Sequence, residues 1–398
     1  MTPSAQAFES NGASESNGAH ESNGAHENNE VQRLGGHPAK GAAQQDKDII
    51  YVPDLFCSIM SAPARLNPAL EIVRSQADSW INDVTGADRE AAAVNANINL
   101  TLLAAIWSPD ASAFALRVMA DWNSWVFRFD DQFDEGHLSR DLQAARDEIA
   151  ATRLIMEDTG PRYTPETNPI RFVFQTFWDR VKGSPAGFLV GKPSSKNLRQ
   201  RLKWAHELYF EGLIKQVRTN AEGRALTRDV DEYVNMRRGT IGVYPSVVMT
   251  EWAGGVDLPE DVAKHPSIFK LMQCSADHVM LVNDILSYKK DLRLGVDHNL
   301  IILLQSQGLS TQEAMDKAGA MVNDTYRRRY QAMAELPCYG EQTDRIVLRF
   351  LDMCRNVALG NLCWSFETGR YLGKEGAQVR ETLKLYFPKD LSTLPLGN

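Results

Sequence analysis

The stretch "FRFDDQFDEG", Phe127 to Gly136, ends the apolar and aromatic run "LRVMADWNSWVFRF" (116–129) with Asp130, Asp131, Asp134 and Glu135, and Asp141 follows soon after. Like charges crowded together repel, and carboxylates beside buried aromatics lose hydration, so this concentration of acid needs compensation. On a helix, Asp130 and Asp134 project about 40° apart and Asp131 about 100° from Asp130, which lets the acids fan around one helix end. Hard oxygen donors at that spacing suit Mg2+, which takes one or two carboxylates and completes its shell with water and phosphate oxygens. Taken alone, the run also fits a solvated helix end. An EF-hand is excluded, because no register gives Asp at positions 1, 3 and 5 with Gly at 6.

A second stretch, "LVNDILSYKKDLRLG" (281–295), also closes an apolar helical segment. Asn283, Ser287 and Asp291 fall at i, i+4 and i+8, so an amide, a hydroxyl and a carboxylate oxygen stack along one helix face as a ligand set for one ion. All three are mediocre helix formers, which makes the arrangement costly without a ligand. Lys290 adjoins the last of them and can reach a phosphate oxygen as a point charge. In "MRRGTIGVYP" (236–245), Arg237 and Arg238 precede two glycines and a proline, a composition that breaks or kinks a helix and opens its backbone. In "NLCWSFETGRYLG" (361–373), Arg370 and Tyr371 follow the aromatic residues Trp364 and Phe366. Arg forks match phosphate geometry. Singly, each arginine fits a surface ion pair; it is the coincidence of these groups with the oxygen-rich runs that matters.

Working outward, apolar residues beyond Pro68 recur at helical spacing, as in 94–107, 113–127 and 267–292, and strand-like alternation is scarce. Breaker clusters at 161–169, 183–195, 254–259, 295–298, 337–340 and 373–376 punctuate the chain. The pattern predicts an all-α bundle of ten to twelve helices around a cavity, forming a single domain over 49–398. The N-terminal 48 residues read differently. From Glu9 to Glu27 a six-residue unit, "ESNGAH" in its commonest form, offers almost nothing to bury, and this polar tail is expected to be disordered.

A net charge of -8 and a pI near 5.6 argue against nucleic acid as a partner. The five cysteines are scattered without a Cys-x-x-Cys pair, which indicates neither a disulfide framework nor a zinc site. With no secretory pattern at the start and no apolar run near the roughly 18 residues of a membrane span, a soluble, cytoplasmic protein is expected.

"DDQFDE", "NDILSYKKD" and the late "RY", in that order within a helical chain of this length, resemble the class I terpene cyclases of fungi and bacteria. "VPDLFCSIMS", "DWNSWVFRFDDQFDEGHL", "RRGTIGVYP", "GVDHNL" and "GNLCWSFETGRYLG" extend the likeness over about residues 50–372. They are most similar to fungal sesquiterpene cyclases that capture water to form a presilphiperfolane alcohol. The resemblance implies the class I terpenoid synthase helical bundle, farnesyl diphosphate as substrate, and three Mg2+ ions held with its diphosphate. It implies Asp130 as principal metal ligand with Asp131, Asp134 and Glu135, and Asn283, Ser287 and Asp291 as the second set, with Asp in place of the more frequent Glu. It implies Arg237, with Arg238 in reserve, Lys290, Arg370 and Tyr371 as diphosphate partners.

Aromatic faces stabilise a migrating cation without attacking it. Phe127 and Trp364 are the leading candidates, followed by Tyr244, Trp122 and Trp125, since aromatic stripes commonly pack cores. The loops after Gly183 and around Arg237 are candidate moving parts. Both monomer and homodimer stay open. A prenyl-elongating synthase would carry two aspartate-rich motifs, and a protonation-initiated cyclase an Asp-x-Asp-Asp motif that "DVDE" (229–232) misses. A non-catalytic helical scaffold is the rival from another class.

Overall fold

Proline, glycine and small polar caps divide the chain into helices at the punctuation just described. The computed structural model describes residues 47–183, 194–223, 227, 229–296 and 298–388. The expected disordered tail, as far as residue 46, and the segment 184–193 after Gly183 lie outside the described residues.

The first helices are α1 (Leu70–Thr85), α2 (Arg89–Ile98), α3 (Leu100–Trp107), α4 (Ala113–Asp134) and α5 (Leu142–Glu157). Then come α6 (Pro169–Lys182), α7 (Lys196–Ala221), α8 (Val230–Thr240), α9 (Val243–Ala253) and α10 (Glu260–Ala263). The last are α11 (Pro266–Leu294), α12 (Leu300–Ser306), α13 (Thr311–Ala334), α14 (Glu341–Glu367) and α15 (Gly376–Thr382). Pro169 and Pro266 open their helices at a position where a missing N–H costs nothing, and Ser310 with Glu313 forms a reciprocal capping box on α13. The run 94–107 is two helices rather than one. Asn99 turns to a left-handed φ of 54°, ends α2, and caps α3 by accepting a hydrogen bond from the Leu102 N–H.

The helices that are apolar all round are the inner ones, as burial on every side requires. Every residue of α3 is buried, as are ten of the eleven in α9. Helix α11 packs against α13, α14 and α9; α14 packs on α3, and α3 on α4. Helices α7 and α8 meet where Gly212 faces Gly239, and a Cβ on Gly212 would lie 2.5 Å from the Gly239 carbonyl carbon. That close approach fixes the distance between two helices that both reach the cavity described below. A two-stranded antiparallel ribbon, β1 (Lys47–Tyr51) with β2 (Lys384–Pro388), ties the two ends of the described chain together, with Ile49 opposite Tyr386. The described residues, from Lys47 to Pro388, fall within one compact unit by their contacts.

Candidate active site

The acid-rich end of α4 and the C-terminal part of α11 flank the same opening. They border a cavity of about 1190 Å³, counted out to its open mouth, whose rim carries Asp130, Asp134, Glu135, Asn283, Ser287 and Asp291. Each group is held by a different neighbour. The Tyr209 hydroxyl of α7 donates to Asp130 Oδ1 at 2.8 Å, and one turn pair further along α7 the Gln216 amide donates to Asp134 Oδ1 at 2.6 Å. Arg370 donates to Asp131 Oδ1 at 2.9 Å. The Asn283 amide donates to the Tyr371 hydroxyl oxygen at 2.7 Å and accepts from Arg237 at 3.2 Å. The Ser287 hydroxyl donates to Asp291, which also accepts from Asn299 at 3.0 Å and sits 3.3 Å from the Lys290 ammonium.

The electrostatics show why the acids need more than these partners. Burial, and next the Asp134 carboxylate, hold the Asp130 carboxyl well above the usual carboxylate range, although the Tyr209 hydrogen bond opposes them. Burial works against the Arg237 cation, but Asp284, then Tyr233, Asp134 and Asp130, outweigh it and raise its pKa. For Arg370 burial is likewise overcome, chiefly by Asp131. The rim therefore has two firm cations and, in Asp130, a carboxyl whose negative charge its present partners do not fully offset. Among the described residues no three His, Cys, Asp or Glu side chains converge as a ready-made metal cage. The donors instead stand in two oxygen groups across an opening, a set that fits a hard divalent ion whose remaining ligands come from substrate phosphate and water. The Arg237 Nε, buried and without a partner, is a further donor available to an anion at this place.

Below the rim the wall turns apolar. The Arg370 guanidinium lies 5.5 Å from the centre of the Phe127 ring. Phe127 meets Trp364 edge-on at 5.4 Å, and Trp364 meets Tyr371 in the same manner at 5.5 Å. The Trp364 indole N–H is anchored on the Ile98 carbonyl at 2.7 Å. Phe127 and Tyr371 face the cavity, while Trp364 is fully buried behind them. The break expected after Arg238 is present: α8 stops at Thr240, Gly242 adopts φ 68°, and α9 begins at Val243, leaving Ile241 and Gly242 backbone on the cavity wall.

Residues 121–328 match the family described as "Terpene synthase family 2, C-terminal metal binding". The chain belongs to the terpene synthase family. It is 56% identical over 352 residues, 88% of either protein, to (1R,4R,5S)-(-)-guaia-6,10(14)-diene synthase of Fusarium mangiferae. It is 39% identical over 360 residues to (+)-eremophilene synthase of Gibberella fujikuroi, covering 90% of this chain and 95% of that protein. Among solved structures, α-eudesmol synthase superposes with a TM-score of 0.65 at 23% identity, covering 76% of this chain and 96% of that one. Linalool/nerolidol synthase from Streptomyces clavuligerus, in complex with 2-fluorogeranyl diphosphate, gives a TM-score of 0.64 at 24% identity, covering 78% and 98%. These likenesses establish the helical terpenoid fold.

Six of the sequence candidates are not on this synthase's cavity wall, Trp364 behind Phe127 and Tyr371 being one of them. Arg238 turns away and shares the buried Asp277 with Arg328, where it joins α8, α11 and α13. Tyr244 is buried against Phe269, ring centres 5.6 Å apart. Trp122 and Trp125 pack in the α4, α6 and α7 core around His206, to which the Trp122 N–H donates at 3.1 Å. Asp131 is on the outer side of the rim, with its side chain 47% exposed and held by Arg370.

Residues not singled out from the sequence also build the site. Asp284 accepts from Arg237, from the Tyr233 hydroxyl at 2.6 Å and from the Leu300 N–H at 2.9 Å, and so fixes the arginine beside Asn283. Asn299 bridges Asp291 and the Asp284 carbonyl. Tyr209 and Gln216 are seven residues apart on α7 and therefore share a face, a signal visible only once the helix is known to oppose α4.

Proposed function

We propose that the protein is a sesquiterpene cyclase that ionises farnesyl diphosphate and closes rings on the resulting cation. One observation carries this reading: two oxygen-donor groups and two partly buried arginines surround the mouth of a cavity whose deeper wall is aromatic and aliphatic. The names of the fungal relatives, for guaia-6,10(14)-diene, (+)-eremophilene and silphinene, support the substrate class.

In this proposal Asp130, with Asp134 and Glu135 and with Asp131 outside them, forms one metal-binding side, and Asn283, Ser287 and Asp291 form the other. Three Mg2+ ions, bound with the substrate, supply Lewis-acid stabilisation of the departing diphosphate. Arg237, Lys290, Arg370 and Tyr371 donate to the diphosphate oxygens, so that charge develops against fixed donors in a place poor in water. Binding would move Arg370 from its present partner Asp131 towards the leaving group, and its departure from Phe127 frees that ring face for the organic cation. Phe127 presents its face, and Trp364 supports it from behind. No acid or base starts the reaction, since loss of the leaving group itself creates the cation.

For the product, the relatives at 56% identity favour a hydrocarbon of the guaiane type, formed by loss of a proton. The water-captured presilphiperfolane alcohol implied by the sequence strings is the second reading. Incubation with farnesyl diphosphate and Mg2+, followed by mass spectrometry, separates a hydrocarbon from an alcohol by the mass of one water. The non-catalytic alternative draws on a relative, also 56% identical, named as an inactive guaiadiene synthase. Absence of any diphosphate release would support that alternative and remove the cyclase proposal.

A further inference from the structure

Three helices run past the substrate cavity and onward to a second one. Along α9, Val243 and Ser246 line the substrate cavity, while Thr250 and the following Gly254 line a cavity of about 630 Å³, again counted out to its opening. Along α14, Asn361 and Val357 line the first, and Asn356 and Met353 the second. Along α3 the order is Leu103 and then Trp107, after which Ser108 to Ala111 belong to the second cavity. Trp107 lines both. The diphosphate end lies at the opposite extreme, since Asp291 and Val279 on α11 are twelve residues apart, about 18 Å of helix rise. On α14 the two linings adjoin at Val357 and Asn356, and on α9 only one helical turn, about 5.4 Å, separates them. That distance is comparable with the reach of one isoprene unit.

The local structure is shaped to keep an indole at this place. Gly360, inside α14, has no side chain where the ring passes: a Cβ there would lie 2.5 Å from Trp107 Cδ1 and 2.9 Å from Nε1. A glycine in mid-helix is unfavourable, and here it admits the ring. The Trp107 N–H is buried with no partner, so the residue is not retained for a hydrogen bond. Both features are costs that a smaller side chain would avoid.

We propose that Trp107 is the floor of the substrate cavity and sets the isoprenoid length the enzyme accepts. It closes the cavity behind a farnesyl chain and denies the next isoprene unit of geranylgeranyl diphosphate the space beyond. Trp107 acts by shape alone and takes no part in ionisation. The proposal rests on the reading of the cavity as a prenyl diphosphate site.

The test measures diphosphate release from farnesyl and geranylgeranyl diphosphate, each with Mg2+, by the wild type, Trp107→Leu, Trp107→Ala and Trp107→Phe, with circular dichroism and melting temperature confirming the fold. The ratio of kcat/KM for the longer substrate to that for the shorter should rise by about tenfold or more in the Leu and Ala variants, while Trp107→Phe stays near the wild type. Should Trp107→Ala fail to fold, Trp107→Leu carries the same expectation with a smaller loss of packing. A folded Leu or Ala variant with the wild-type ratio overturns the proposal, and so does a wild type that uses both substrates equally well. If the wild type releases diphosphate from neither, it is the cyclase reading that falls, and the floor with it.

Discussion

Helix α4 carries aromatic residues on two faces, and the two faces do different work. Trp122, Trp125, Phe129 and Phe133 point into a sealed cluster with Phe174, Phe177, His206 and Phe210, and all are at most 1% exposed. Phe127, Asp130 and Asp134 lie on the opposite face and look into the cavity. The residue types are alike, yet the cluster supplies packing and the other face supplies chemistry. The spacing separates them: Phe127 is three and seven residues before the two aspartates, whereas Trp125 is five and nine before them and thus on the other side of a 3.6-residue helix. An aromatic ring acquires a role in catalysis from the acids with which it shares a face.

The largest effects should come from the charged rim. Asp130→Ala and Asn283→Ala should each lower diphosphate release by about two to three orders of magnitude while the far-ultraviolet dichroism and melting temperature stay near the wild type. EDTA should abolish release in the wild type and Mg2+ restore it. On the other face, Trp125→Ala should reduce stability by about 3–5 kcal/mol, read in chemical denaturation, and leave the product ratio unchanged at temperatures where it is folded. A change of product ratio in Trp125→Ala would break the comparison.

His206 sharpens it through pH. Its Nε2 accepts from Trp122 and its Nδ1–H donates to the Leu202 carbonyl at 2.8 Å, so the ring is held neutral, and burial pulls its pKa down to about 4. The unfolded chain takes up this proton near pH 6.5, the folded one only near 4, so stability falls as pH falls through that window, by about 3 kcal/mol in all for this group. Buried aspartates with raised pKa, such as Asp121 and Asp284, act in the opposite direction. The difference between wild type and His206→Gln, which keeps an acceptor but does not titrate, isolates the histidine. The variant should have a flatter stability profile between pH 6.5 and 4. The smallest effect expected is at Phe127→Leu: about 1–2 kcal/mol of cation stabilisation lost, a partition shifted by about tenfold towards less cyclised products, and diphosphate release continuing.

How much of this was legible in the sequence depends on whether a feature is local. Helix ends were, because Pro169, Gly183 and Gly295 act on their own backbone. The two oxygen-rich runs were, because a helix puts i and i+4 on one face whatever it packs against. The Asn99 break was hidden, since an asparagine in left-handed backbone looks like any polar residue in an apolar run. Arg238 and Arg237 were indistinguishable as neighbours in one motif, and only the helix phase sends one to Asp277 and the other to Asn283. Tyr209, Gln216 and Trp107 depend on which helices meet, a long-range outcome that spacing within one segment does not encode. The β1–β2 ribbon, formed by segments more than 330 residues apart, belongs to the same class.

The most direct test of the central claim, that the rim ionises a prenyl diphosphate over an apolar cavity that cyclises the cation, follows both halves of one reaction. Purified protein is given farnesyl diphosphate with Mg2+ or with EDTA, diphosphate release is quantified, and the organic products are identified by mass spectrometry. The account predicts metal-dependent release matched mole for mole by cyclic sesquiterpene. Release that persists in EDTA, or metal-dependent release that yields only acyclic farnesol or nerolidol, would contradict it.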